Sequence, residues 1–99
     1  MPAGDPPDAL PAPQFAPGAD AHEVLRAWVA DGGLTVSIRR SFDDAAVWGV
    51  LLADVARHVS RIYADEDGVT EEEALSKVVE TLTSELMEPT SSVSTHAVS

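Results

Sequence analysis

The sequence predicts a small α+β domain: a β-hairpin packed on two helices, in the order ββαα, with disordered tails at both ends. Three observations predict it. Two alternating apolar runs flank Asp31-Gly32, a strong hairpin signal because both turn residues must reach positive φ. Two later stretches, Trp48–Tyr63 and Leu75–Leu86, carry apolar residues at helical spacing. The ends are proline-rich or polar and offer little to pack. The domain therefore runs over residues 20–89.

Residues 1–19 carry six prolines, Pro2, Pro6, Pro7, Pro11, Pro13 and Pro17. Proline removes backbone donors and pushes its predecessor out of helical space. The segment reads as disordered or polyproline-like, with Leu10 and Phe15 able to pack back as a loose strap. Pro11-Ala12-Pro13 lacks the PxxP spacing of a docking ligand.

Residues 22–40 admit two readings. A helix would use Asp20 as N-cap, Glu23 as its capping-box partner and Gly32 as C-cap. A hairpin with a two-residue Asp31-Gly32 turn sets Val29 opposite Leu34, Ala27 opposite Val36 and Leu25 opposite Ile38, all on one face. It also sets Trp28 opposite Thr35, Arg26 opposite Ser37 and Glu23 opposite Arg40, a favourable charge pair. The register favours the hairpin. A lone hairpin is marginal in water, so its apolar face is expected on the central helix. Its open edge would take the same strand of a second copy.

Asp43 or Asp44 caps the central helix, and with Asp43 in that role Phe42 and Val47 would form a hydrophobic staple. Trp48, Leu51, Leu52, Val55, Val59, Ile62 and Tyr63 share one side, while Val47 and Val50 sit among the polar residues of the other. The helix start is therefore apolar nearly all round, which normally means burial all round. Gly49 costs about 1 kcal/mol against Ala in a helix and suggests close approach of another backbone. Gly68 is a fitting left-handed C-cap. Thr70 and Glu73 form a capping box before the last helix. There Leu75, Val78, Val79, Leu82 and Leu86 make an apolar stripe, Glu73 and Lys77 can pair, and Pro89 stops the helix. The remaining tail is polar, and no internal repeat is present.

Part of the middle carries a recognisable pattern: Arg26-Ala27-Trp28, Val36-Ser37, and W-G-x-L-L-x-D-x-A-R-H from Trp48 to His58. From about Val24 to Tyr63 the chain resembles a family of short bacterial proteins known as a domain of unknown function. Ala45 departs from that pattern, where a proline would suit the first helical turn. The resemblance implies a shared domain and no particular activity.

Composition narrows the function classes. The 99 residues hold 17 Asp and Glu against 6 Lys and Arg. A net charge of −11 argues against nonspecific nucleic-acid binding and adhesion to anionic membranes. No apolar run approaches a membrane span, and the N-terminus has no secretory pattern, so a cytoplasmic protein is expected. With no cysteine, neither disulfides nor thiolate metal sites can staple so small a core. Self-association is the remaining common remedy.

The candidate chemistry is sparse. Asp54 and His58 stand i, i+4 on the central helix, near Arg57 and Arg61. They could serve a small-molecule or metal site, with His22 or Glu23 as further ligands. The structural reading places His58 at the edge of the apolar face, held by Asp54 or a backbone carbonyl. Arg26, Trp28, Ser37 and Arg39 would share the second hairpin face, as a stacking site or as an interface anchor. Asp65, Asp67 and Gly68 suggest a calcium loop, but the count puts Tyr63 and Ala74 at ligand positions, which excludes an EF-hand. No phosphate loop or nucleophile elbow is present.

The sequence thus points to a non-enzymatic, acidic interaction module, a homodimer with no cofactor or metal, associating through Val47, Trp48, Val50 and Leu51. The alternatives are a ligand- or metal-binding protein using Asp54 and His58, and an acidic partner of a basic protein.

Overall fold

The computed structural model describes residues 8–90 and the backbone of residues 93–98. Three strands and two helices follow one another as β1 (Leu25–Ala30), β2 (Gly33–Arg39), α1 (Ala46–Asp67), α2 (Glu71–Met87) and β3 (Val93–Val98).

The hairpin forms with the register its turn dictates. Asp31 (φ 51°) and Gly32 (φ 76°) both occupy the left-handed region, so the two-residue turn matches the right-handed twist of its strands. Leu25 pairs with Ile38, Ala27 with Val36, Val29 with Leu34, Arg26 with Ser37 and Trp28 with Thr35. The helical alternative for residues 22–31 is thereby set aside. Glu23 does not reach Arg40. Its carboxylate lies 2.7 Å from Arg26 Nε, a nearer partner on its own strand.

Val93–Val98 corrects the expected disordered tail. The backbone of β3 pairs in parallel with β2, from Leu34 opposite Val93 to Arg39 opposite Val98, in the sheet order β1-β2-β3. The physical reason lies in β2, whose outer edge offers unpaired donors and acceptors. The last segment is short but carries Val and Thr, which suit a pleated strand. Its return begins at Glu85, whose carboxylate accepts from the Thr90 hydroxyl (2.6 Å) and backbone N–H (3.2 Å). The two helices thus become the crossover that parallel neighbours require.

α1 starts where Asp44 accepts from the Ala46 N–H at 2.8 Å. The helix begins at Ala46, two residues later than an Asp43 cap would give, and Phe42 meets Trp48. The two rings lie edge to face, 5.4 Å apart, a geometry aromatic pairs favour. Trp48 Nε1–H donates to the Arg40 carbonyl at 2.9 Å. The sheet and helices are joined at this corner. α1 ends at Gly68 (φ 72°), as a left-handed cap requires. Thr70 Oγ1 accepts from the Glu73 N–H at 3.1 Å, capping α2.

The helices pack antiparallel along a seam of small side chains. Ser60 and Ala74 are the buried residues among those described, and Ala56 and Ala64 are half-buried beside them. Ser60 spends its hydroxyl on the Ala56 carbonyl, 2.7 Å away, so no polar atom there lacks a partner.

Candidate functional site

The features with functional potential are apolar and open. Seated on α1, the hairpin face of Leu25, Ala27, Val29, Leu34, Val36 and Ile38 would be covered. Instead the face is unevenly covered: Leu25, Val36 and Ile38 are half-buried, while Leu34 is 39% and Val29 79% exposed. The corner at Trp48 holds the sheet to one side of its own helices.

The helix start is equally bare. Val47 is 40% and Val50 63% exposed, while Trp48 and Leu51 are half-buried. No atom outside the helix backbone lies within 4 Å of a Cβ built on Gly49, so the close approach its presence suggests is not made by this chain. α2 also leaves its stripe partly open, with Leu86 76% exposed. Between the helices runs an apolar groove of about 670 Å³, floored by Val59, Tyr63, Val69, Ala74, Val78 and Leu82. Asp67, Glu73 and Glu85 stand on its rim with Lys77. Glu73 and Lys77 border it without forming an ion pair.

A compact chain of this mass exposes roughly 5,400 Å². This one exposes 8498 Å². Part of the surplus is the proline-rich segment, in which Leu10 and Phe15 stay exposed, although Asp8, Ala9 and Leu10 border a recess on β1 with Leu25, Ala27 and Trp28.

The polar candidates do not converge. Asp54, Arg57 and His58 are all exposed, and neither Asp54 nor His58 has a side-chain partner among the described residues. No group of three His, Asp or Glu able to hold a metal occurs among those residues. The expected hairpin face does form: the register places Arg26, Trp28, Ser37 and Arg39 on one side, all half-buried. Arg39 Nε there is shielded from solvent without a hydrogen-bond partner. Among the described residues, no helix is long and apolar enough to cross a membrane.

Sequence reasoning missed the Ser60–Ala74 seam and the groove beside it. The available signal was the spacing of Ala56, Ser60 and Ala64, which lets a second helix come close. α2's stripe reads as core in a sequence, and only the packing shows that α1 covers part of it.

These features define a class: a small ββαα module, closed by a third strand, whose apolar faces are left open. The chain belongs to the family described as a domain of unknown function (DUF5076), whose model matches residues 8–90. It is also similar to a solved structure from the photosynthetic bacterium Rhodopseudomonas palustrus, provisionally named a pyruvate dehydrogenase. The two share 48% identity with a TM-score of 0.72, over 87% of this chain and 89% of that one. No protein of curated function matches the sequence.

Proposed function

We propose that this protein is a non-enzymatic interaction module that works as a homodimer, associating through the free edge of β1 and the apolar start of α1. The observation that carries this reading is the exposure of Val47 and Val50 on a helix apolar nearly all round. Fully burying a valine is worth about 1.5–3 kcal/mol, and in this chain neither is buried. Obligate dimers bury about 2,000 Å² or more in total. A cytoplasmic location goes with this reading.

The provisional name of the Rhodopseudomonas protein is not carried over. No set of side chains converges for covalent or redox chemistry among the described residues.

Val50→Glu tests the proposal. A carboxylate taken into an apolar contact must be desolvated, so association should weaken at least tenfold, about 1.4 kcal/mol. Size-exclusion chromatography over a dilution series would show the variant dissociating at higher concentration than wild type. Identical dissociation would place the interface elsewhere.

A further inference from the structure

We infer that the α1–α2 groove is the seat for the sheet of a second copy, so that each sheet is covered by its partner's helices. The inference rests on the homodimer reading and adds a second pair of surfaces to the β1 edge and the α1 start. Two large apolar surfaces lie open on this chain: the hairpin face carrying Val29 and Leu34, and the groove floored by Val59, Tyr63, Val78 and Leu82. They are alike in chemistry, and each is only partly covered from within: Leu25, Val36 and Ile38 on the sheet and Val59 and Val78 in the groove are half-buried.

Trp48 bonds the Arg40 carbonyl and meets Phe42 at the corner between sheet and helices, and with that corner made the sheet does not lie over its own groove. A second copy can bring its sheet to the groove with the corner intact.

Charge supports the same occupant. The groove rim holds three carboxylates, Asp67, Glu73 and Glu85, against one lysine. Arg40 follows the last residue of β2, is exposed and has no side-chain partner among the described residues. Opposite charges at the edge of an apolar contact fix its register and speed encounter. The two surfaces are then used reciprocally, each copy giving a sheet and receiving one, as a two-fold dimer requires.

The natural chain has no cysteine, so introduced thiols report without background. Full-length Val29→Cys and Thr81→Cys, both at exposed positions, are mixed, allowed to exchange and treated with a short bis-maleimide. Leu34→Cys with Leu82→Cys serves as a second pair. The expected result is that covalent dimers joining one chain of each variant dominate, as read by intact mass. Dominance of Thr81–Thr81 links would mean that groove faces groove and would overturn the inference. So would a dimer in light scattering that yields no mixed link from either pair, which would leave the homodimer reading standing. Preferential linking within a single chain of Val29→Cys/Thr81→Cys would show the sheet closing on its own groove. A monomer throughout would remove both proposals.

Discussion

Trp48 holds the corner of the molecule with one side chain: its indole N–H reaches back to the Arg40 carbonyl and its ring meets Phe42. Trp48→Phe keeps an aromatic ring and deletes the donor. A hydrogen bond of this kind contributes about 0.5–1.5 kcal/mol, so the melting temperature should fall by several degrees. An unchanged melt would show that the corner is held without it. Ser60 gives a sharper contrast. Its hydroxyl bonds only to its own helix, and such back-bonding adds little stability, so Ser60→Ala should be nearly silent in urea denaturation. Ser60→Leu forces a large side chain into the seam and should cost about 1–3 kcal/mol. Equal effects of the two would mean the seam is not close-packed. At this scale the sequence was half legible. Trp48 was conspicuous as a costly residue inside a patterned stretch, but its bond to Arg40 depends on a chain turn at Ser41 (φ 61°) that local pattern does not disclose. Ser60 was invisible because a serine on a helix is usually solvated.

The elements themselves were more legible, because punctuation residues dictate them. Asp31-Gly32 fixes the strand register, Gly68 ends α1 and Thr70 begins α2. Thr70→Ala removes the acceptor for the Glu73 N–H and should cost about 1 kcal/mol. For a chain of this size that lowers the melting temperature by about 4–8 °C, measured by circular dichroism at fixed protein concentration. A shift under one degree would mean water replaces the cap at no cost. β3 escaped notice because Val93–Val98 is short and polar-looking, and what makes it a strand is the open edge of β2 sixty residues earlier. Deleting residues 91–99 should therefore loosen β2. Faster amide hydrogen exchange across Leu34–Ile38 is the expected sign, and unchanged protection would contradict the pairing.

The whole molecule is a set of well-formed elements with too little to cover them. Both helices and the hairpin are ordered by local rules, yet among the described residues burial is confined to Ser60 and Ala74. The sequence conveyed this in outline: a helix apolar all round, in a chain too short for a large core and without disulfides. It could not show how the apolar faces are placed, since that depends on the corner at Trp48 and the angle at which the sheet leaves it. The Asp54–His58 pair looked chemical in the sequence because i, i+4 spacing puts the two side chains on one face. Both side chains stand in solvent, and no group of three His, Asp or Glu able to hold a metal occurs among the described residues. The most direct measurement is the mass of the unmodified chain by light scattering at tens of micromolar. Self-covering apolar faces predict a particle of twice the 10.4 kDa chain mass. A folded particle of 10.4 kDa that melts cooperatively would contradict it.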